Sequence, residues 1–139
     1  MNVERALVIL QQNQLKKTKN REQILQYLYE SDRYVSALEV RNHLAATNPG
    51  VSYDTVYRNL ATFADLNIVE ATELNGEQHF RMHCNPDSHH HHFICTVCGK
   101  TESIEYCPMD AFSIVLKGHI VEGHKFEIYG KCPHCVFAS

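Results

Sequence analysis

The sequence predicts an α+β protein, with a helix-turn-helix and a β-hairpin first and a small α/β domain after them. Apolar residues recur at helical spacing in the first half, up to about Leu66. An Asn75-Gly76 pair then separates two short extended runs, and five of the six cysteines lie beyond residue 88. The 139 residues can form one domain or two small ones, which excludes a large multi-domain enzyme.

Three helices are expected in the first half. Apolar spacing predicts a helix over residues 18–30, and Ser36-Ala37-Leu38-Glu39 has the Ser-x-x-Glu form of a capping box that begins a helix over residues 36–46. Pro49-Gly50 predicts a turn, and Ser52 can cap a third helix. The inward stripe of that helix contains Val56, Leu60, Phe63 and Leu66. Helices in this order, with a short turn before the last, indicate a helix-turn-helix.

A hairpin follows these helices directly. Residues 68–74 and 77–84 form two extended runs, and Asn75-Gly76 between them favours a tight turn because both residues tolerate positive φ. A hairpin after a helix-turn-helix is a wing. We therefore predict a winged-helix domain over residues 1–84, a hinge over 85–88 and a second domain over 89–139.

The second domain is expected to mix strands with one helix. Strands are predicted over residues 89–95, 101–105 and 125–129, and a helix over residues 108–117. Pro108 suits the first turn of that helix, and Gly118 suits the position just past its end.

The net charge, the lengths of the apolar runs and the numbers of cysteines and histidines limit the classes of protein to which the chain can belong. The net charge is −3, from 13 Lys and Arg against 16 Asp and Glu, so any DNA binding must come from a local basic patch. No apolar run is long enough to span a bilayer, and Glu4 and Arg5 interrupt what would be the apolar stretch of a secretion signal. We expect a cytoplasmic protein without a membrane partner, in which six Cys and ten His indicate metal ligands before disulfides.

Two Cys-x-x-Cys knuckles predict one structural zinc site. Cys95 and Cys98 form the first knuckle, Cys132 and Cys135 the second, and four thiolates complete a tetrahedral shell without an open position for water. The alternative is two unrelated thiol pairs or a redox Cys-x-x-Cys. Cys107 stands outside this pattern.

The run of four histidines predicts two sets of ligands. On an extended chain His90 and His92 share one side, whereas His89 and His91 share the other, and residues two apart can both reach one ion. The alternative is that only one side binds metal and the other is solvated.

Further ligands are less closely specified. Cys84 is a soft ligand that favours zinc over manganese or magnesium, and Glu70 could join it on the side of His90 and His92. Such a site would link metal binding to domain placement. For the other side, Asp110 and His124 are the candidates. His43, His79, His83, His119 and His134 are assigned no role.

The segment VSYDTVYRNL at residues 51–60 is the predicted recognition helix. Its outward side chains include Tyr53, Thr55, Tyr57 and Arg58, which suit contacts with base edges and phosphates. Upstream, residues 14–21 carry Lys16, Lys17, Lys19 and Arg21 without an acid, which suits a backbone contact. A solvated face is the alternative for this basic run.

Three motifs resemble the ferric uptake regulator family of bacterial metal-sensing repressors: VSYDTVYRNL, HHHHFICTVCGK and HKFEIYGKCPHC. Within the family the chain is most similar to zinc uptake regulators of Gram-positive type. The resemblance covers nearly the whole chain. It implies a homodimer with a C-terminal dimerisation domain that binds an AT-rich inverted repeat in double-stranded DNA when zinc fills a sensing site, and represses zinc uptake genes.

The resemblance also implies three metal sites, one structural zinc and one or two regulatory zinc ions in each chain. The structural site falls on Cys95, Cys98, Cys132 and Cys135; the sensing site falls on Glu70, Cys84, His90 and His92; the further site falls on His89, His91, Asp110 and His124. A zinc enzyme would need an open coordination site and a general base, as in His-Glu-x-x-His, and the sequence contains no such motif, so we expect neither an enzyme nor a small-molecule substrate. The alternatives are a sibling sensor of iron, manganese or peroxide, a zinc enzyme, and a zinc-storage protein.

Overall fold

The computed structural model describes residues 1–83, 91–104, 109–124 and 126–138. The chain divides into two compact units, Met1–Pro86 and Asp87–Ser139. The predicted domain boundaries and hinge lie at or beside residues 84–90, which are outside the described part of the chain.

The first unit begins with a helix that the sequence patterns do not predict, α1 (Val3–Gln12). The side chain of Asn2 caps it by accepting a hydrogen bond from the Arg5 N–H at 2.8 Å. Ala6 and Leu10 on its inner side are completely or almost completely buried in the core of this unit. The helix is therefore an integral part of the winged-helix unit.

The three predicted helices are present as α2 (Lys19–Ser31), α3 (Ala37–Ala45) and α4 (Tyr53–Asp65). Thr18 caps α2, and Ser52 caps α4. At α3 the Ser36 hydroxyl accepts from the Glu39 N–H at 3.1 Å and the Glu39 carboxylate accepts from the Ser36 N–H at 3.3 Å, which confirms the capping box.

One apolar core holds these helices together. Its fully buried side chains include Ile24, Leu25 and Leu28 of α2 and Val40 of α3, together with the predicted inward residues of α4 except Leu66, which is partly buried against the core. Phe63 is the largest of the completely buried side chains. It therefore contributes a large share of the apolar area that folding removes from water.

The wing is a three-stranded antiparallel sheet rather than a hairpin alone. Its strands are β1 (Val35–Ser36), β2 (Val69–Leu74) and β3 (Glu77–Met82), in the order β1-β3-β2. Asn75 and Gly76 connect β2 to β3 with φ of 55° and 80°, as the Asn-Gly pair predicts. The short β1, which the sequence does not predict, pairs Val35 with Phe80 and so joins the wing to the helices.

The second unit contains a mixed sheet in the order β5-β4-β6. Its elements are β4 (His91–Cys95), β5 (Thr101–Ile104), α5 (Met109–Val115), β6 (Glu127–Gly130) and α6 (Pro133–Ala138). Strands β4 and β5 are antiparallel, whereas β4 and β6 are parallel. The structure thus confirms the predicted α+β class, a winged helix-turn-helix followed by a small α/β domain.

The structure differs from the predicted second domain in three details. Helix α5 ends at Val115 instead of residue 117, and a turn over residues 116–118 follows it. This turn ends at Gly118, whose φ of +87° is readily adopted only by glycine. Strand β6 spans Glu127–Gly130 instead of residues 125–129, and α6 was not predicted.

No helix in the described part of the chain is long and apolar enough to cross a membrane.

Candidate metal centre and nucleic-acid interface

The two predicted knuckles come together in the second unit. Cys95 is the last residue of β4 and Cys98 lies in the turn that follows, whereas Cys132 directly precedes α6 and Cys135 lies within it. The four sulfur atoms all lie within 4.8 Å of one another, and the Sγ atoms of Cys98 and Cys132 are 3.8 Å apart. Parallel pairing of β4 with β6 brings the knuckles together, because each follows the end of one of these strands.

Backbone groups fix the shape of the first knuckle. The Gly99 N–H donates to the Cys95 carbonyl at 2.9 Å, and Gly99 adopts a φ of +78° in the tight turn after Cys98. The Thr96 N–H donates to the Gly130 carbonyl at 2.8 Å, which ties this turn to the end of β6. The chain therefore holds the cluster by hydrogen bonds that do not depend on a metal.

Cys95 is the thiol best prepared to act as a thiolate. Burial alone raises its pKa, but backbone N–H groups donate to its sulfur, from Cys98 at 3.5 Å and from Cys132 at 3.4 Å. These hydrogen bonds outweigh burial and lower the Cys95 pKa from 9.0 to about 6.

Cys98 and Cys135 behave in the opposite way. Burial and the sulfur atoms beside it raise the pKa of Cys135 to about 12. Burial, which outweighs a backbone hydrogen bond from Lys100, also raises the pKa of Cys98. One negative charge in the cluster thus disfavours further ionisation unless a cation is present.

The cluster fits a tetrahedral zinc ion. Zinc–sulfur bonds of about 2.3 Å in a tetrahedron place the sulfur atoms about 3.8 Å apart. The distance between Cys98 and Cys132 equals that edge, and the other pairs lie within 1 Å of it or are shorter. Four thiolates leave no position for substrate or water, so a bound ion would stabilise the fold and would not carry out catalysis. Among the described residues, only these four form a group of three or more potential ligands.

The structure also brings together two residues of the predicted further site. The His91 ring is almost completely buried in β4, and its centroid is 5.1 Å from that of the exposed His124 ring. The ring of Phe126 packs edge-on against His91 at 5.4 Å. Asp110 lies in α5, but its side chain is outside the described part of the chain, as is His89.

Of the predicted sensing residues, Glu70 and His92 are described. Glu70 lies in β2 and is held within the first unit: its Oε2 accepts a hydrogen bond from the Tyr34 hydroxyl at 3.4 Å, and its Oε1 is 3.6 Å from His83 Nε2. His92 is buried in β4 of the second unit. Cys84 and His90 lie outside the described residues.

Sequence patterns did not identify Tyr34 and His83 as neighbours of Glu70. Tyr34 is 36 positions earlier in the chain and reaches Glu70 only because β1 and β2 flank β3 in one sheet. His83 directly follows the wing, and its backbone N–H donates to the Ile68 carbonyl at 3.0 Å. For His83, the register of the predicted hairpin was an available signal, because it places residues near 83 opposite residues near 68, two positions before Glu70.

The predicted recognition helix is α4. Of its predicted outward residues, Tyr53, Tyr57 and Arg58 are exposed, whereas Thr55 is half-buried and its hydroxyl accepts a hydrogen bond from the Ser52 hydroxyl at 2.8 Å. Tyr53 and Tyr57 are exposed and stacked with ring centroids 6.1 Å apart, and Tyr57 meets the Phe80 ring of the wing edge-on at 6.0 Å. Arg58 is exposed, and its Nη2 is 2.8 Å from the Asp54 carboxylate one turn earlier. The cation is therefore partly neutralised before any DNA arrives.

The basic segment between α1 and α2 divides into outward and inward cations. Lys16, Lys17 and Lys19 are exposed, and Lys17 makes only a long 3.8 Å ion pair with Glu22. Arg21, which was grouped with them as a backbone contact, instead directs its side chain inward: Nε donates to the Asn59 carboxamide at 3.1 Å and Nη1 donates to the Lys16 carbonyl at 2.7 Å.

A helix with exposed aromatic and basic side chains beside a wing is suited to a DNA groove, and four converging sulfur atoms are suited to a metal ion. A chain with both features is a metal-binding transcription regulator by class. The sequence model of the ferric uptake regulator family matches residues 12–129. The chain therefore belongs to that family, as the motif resemblance predicted.

Curated relatives support the same assignment. A protein named ferric uptake regulation protein from Staphylococcus aureus is 45% identical over 135 residues, which covers 97% of this chain and 98% of the relative. A protein of the same name from Staphylococcus epidermidis is 44% identical, with 97% of each chain covered. Proteins of this family are transcription regulators that bind DNA as dimers, which confirms the expectation that the protein is not an enzyme.

Solved structures share the fold. The ferric uptake regulator of Helicobacter pylori has a TM-score of 0.75 at 23% identity, covering 98% of this chain and 95% of that chain. A zinc uptake regulator complexed with zinc and DNA has a TM-score of 0.70 at 22% identity, covering 98% and 93%.

Proposed function

We propose that this protein is a zinc-responsive transcriptional repressor, which binds an AT-rich inverted repeat as a zinc-loaded homodimer and represses zinc uptake genes. The observation that carries the zinc assignment is the thiolate in the sensing set implied by the motif resemblance. Thiolate and imidazole ligands favour zinc over the harder ions manganese and magnesium. In the implied set, Cys84 would contribute this thiolate together with His90, His92 and Glu70.

The DNA-binding part of the proposal is supported by α4 and the segment before α2. Tyr53, Thr55, Tyr57 and Arg58 lie on or near the open side of α4, where aromatic and guanidinium groups can meet base edges and phosphates. Lys16 and Lys17 add exposed positive charge. Such a local patch is what a protein of net charge −3 requires for DNA binding.

The homodimer is supported by apolar side chains on the second unit. Ile114 is 82% exposed, Ile120 is 90% exposed and Phe137 is 86% exposed, and Phe112 and Val115 are exposed beside Ile114 in the same helix. A small domain rarely leaves so many large apolar groups in water unless another surface covers them. A second copy is the partner we propose, because dimeric regulators match the two-fold symmetry of an inverted repeat.

The proposed metal content is one structural zinc and one or two regulatory ions in each chain. Cys95, Cys98, Cys132 and Cys135 would hold the structural ion. The closeness of His91 to His124 supports a further site with His89 and Asp110. The alternative in which only the side of His90 and His92 binds a regulatory ion stays open.

Because the protein acts on DNA, we propose a cytoplasmic location.

An iron-responsive regulator is the second candidate. The observation that favours it is the name of the Staphylococcus relatives, which are 42–45% identical and are called ferric uptake regulation proteins. Iron(II) accepts imidazole and carboxylate ligands readily, so Glu70 and the histidines alone do not discriminate against it. Cys84 is the residue on which the two candidates differ.

The two candidates are separated by fluorescence anisotropy of a labelled AT-rich inverted-repeat duplex at fixed salt. The protein retains the metal of its four-thiolate cluster, and buffered free zinc, anaerobic iron(II) or manganese(II) is then increased in steps. We expect tight binding at the lowest free concentration with zinc. A Cys84→Ser variant should lose this preference, and a duplex with scrambled half-sites controls for non-specific binding.

Each other outcome contradicts a defined part of the proposal. Activation by iron(II) with no response to zinc would favour the iron candidate. Binding that is independent of added metal would reject the metal-dependent switch. Binding to neither duplex with any metal would reject the DNA-binding role.

A further inference from the structure

The segment that carries Lys16 and Lys17 is tied to the middle of the recognition helix by one side chain. Arg21 stands in the first turn of α2, where its own N–H donates to the Thr18 cap at 3.2 Å. From there its guanidinium reaches in two directions, to the Lys16 carbonyl at 2.7 Å and to the Asn59 carboxamide oxygen at 3.1 Å. We refer to these two hydrogen bonds as the Arg21 bridge.

Both the oxygen and the NH₂ group of the Asn59 carboxamide make hydrogen bonds in this arrangement. An arginine can only donate hydrogen bonds, so Asn59 must present its oxygen to Arg21 and its NH₂ group elsewhere. That group donates to the Thr55 carbonyl one turn earlier in α4, at 3.1 Å. Asn59 is half-buried on α4, whereas Tyr57 and Arg58 beside it are exposed. Its carboxamide therefore faces the bridge while its neighbours face outward.

The backbone before α2 is fixed at both ends of the basic pair. Leu15 is partly buried against the core, and its N–H donates to the Leu10 carbonyl at 2.9 Å. Gln14 adopts a φ of 63°, a left-handed conformation that is uncommon outside glycine. Between Leu15 and the Thr18 cap, the Arg21 bridge is the contact that fixes the Lys16 carbonyl. The side chains of Lys16 and Lys17 remain exposed.

We propose that Arg21 is a positioning residue for DNA binding: through its bridge to Asn59 it holds the Lys16–Lys17 backbone in a fixed place relative to the recognition helix, so both meet the duplex together. The inference rests on the proposed DNA-binding function. Ordering a flexible segment on binding lowers affinity, and a segment ordered beforehand avoids that penalty. A charged donor makes strong, directional hydrogen bonds, which suits Arg21 to this role.

A neutral substitution gives the sharpest test. Asn59→Ala breaks the bridge without changing any charge, so a purely electrostatic view predicts no change in the salt dependence of DNA binding. If the bridge positions the lysines, the slope of log K against log salt concentration becomes shallower, by about 0.9 for each phosphate that the lysines no longer neutralise. We expect a loss of affinity of about tenfold at moderate salt, equivalent to about 1.4 kcal/mol.

The measurement uses the full zinc-loaded protein and the AT-rich duplex, with anisotropy titrations at several salt concentrations. Lys16→Ala/Lys17→Ala defines the slope without the basic pair, and the triple variant with Asn59→Ala tests additivity. Arg21→Lys keeps the charge but cannot form the same fork, and it should match Asn59→Ala. Asn42→Ala is the matched control, because the Asn42 carboxamide on α3 accepts a hydrogen bond from Arg41 at 3.3 Å and takes no part in the Arg21 bridge.

The expected result is a shallower slope for Asn59→Ala and no additional loss when the two lysines are already absent. A slope equal to that of the parent protein, or a loss that adds in full to the lysine variant, overturns the inference. An unchanged slope for the lysine variant also overturns the inference, because Lys16 and Lys17 would then neutralise no phosphate, even if the recognition helix still binds DNA. Failure of the parent protein to bind the duplex would instead reject the proposed function. Urea unfolding confirms that each variant is folded, and Arg21→Lys serves if Asn59→Ala is not.

Discussion

Metal binding by the four-cysteine cluster should strengthen steeply as pH rises near neutrality. In the metal-free cluster the Cys95 pKa of about 6 leaves this sulfur largely a thiolate at pH 7. Cys135, with a pKa of about 12, and Cys98, whose pKa is raised above 9.0, remain protonated. A metal ion must therefore displace protons from at least these two thiols.

The expected slope follows from this proton count. Because binding displaces at least two protons, the apparent association constant rises by at least about 100-fold for each pH unit. Protonation competes with the metal, so affinity falls as pH falls. Above its pKa of about 6, Cys95 offers the metal a thiolate without loss of a proton. Below pH 6 this sulfur is also protonated, so the metal must displace a further proton to bind. The fall in affinity should therefore become steeper in acid.

Cobalt(II) provides the assay, because its thiolate-to-metal absorption reports sulfur ligands. Titrations between pH 6.5 and 8 in a Cys84→Ser/Cys107→Ser background restrict the thiolate signal to the four-cysteine cluster, and Cys95→Ser should remove most of it. Competition with a chelator of known pH dependence gives the association constant at each pH. An association constant that changes tenfold or less per pH unit would refute the proposed protonation states of Cys98 and Cys135.

Three further predictions concern the first unit. Ser36→Ala removes the hydroxyl half of a capping box and should lower the free energy of unfolding by about 1 kcal/mol in urea denaturation, and an unchanged midpoint would contradict this. Tyr34→Phe removes the hydroxyl that donates to Glu70, so the free zinc needed for half-maximal DNA binding should rise about tenfold; an unchanged midpoint would show that Glu70 is not positioned this way. Asp54→Asn releases Arg58 from its 2.8 Å ion pair and removes a negative charge, which should tighten binding to DNA of any sequence and steepen its salt dependence; weaker binding would instead indicate that Asp54 contacts the duplex.

Elements with local signals were predictable from the sequence, and elements defined by tertiary packing were not. Ser36 with Glu39 and the Asn75-Gly76 pair specify their own backbone conformations, so α3 and the wing lie where predicted. Helix α1 has only Ala6 and Leu10 fully buried, and α6 is six residues long. The six residues of α6 are too few to show a helical period, whereas Val3, Ala6, Leu7 and Leu10 of α1 stand at helical spacing and could have identified that helix.

The same distinction applies to the candidate sites. Each knuckle is defined by a three-residue spacing, so the sequence indicated the cysteine cluster directly. The contact between Arg21 and Asn59 spans 38 positions, and the contact of Tyr34 with Glu70 spans 36. Both require the helices to be packed and the sheet to be in register, which spacing along the chain does not encode.

The pair of His91 and His124 provides the last prediction. Their ring centroids are 5.1 Å apart, which is close enough for both rings to bind one ion. His124 is exposed, whereas His91 is buried. His124→Ala should therefore lower the zinc content at saturation by about one ion in each chain, as measured by equilibrium dialysis with elemental analysis. His119→Ala is the matched control, because His119 is an exposed histidine near it that contacts the Leu116 carbonyl at 3.1 Å. Equal zinc content in both variants would show that the buried ring packs against His124 and Phe126 for stability alone, and that only the side of His90 and His92 binds a regulatory ion.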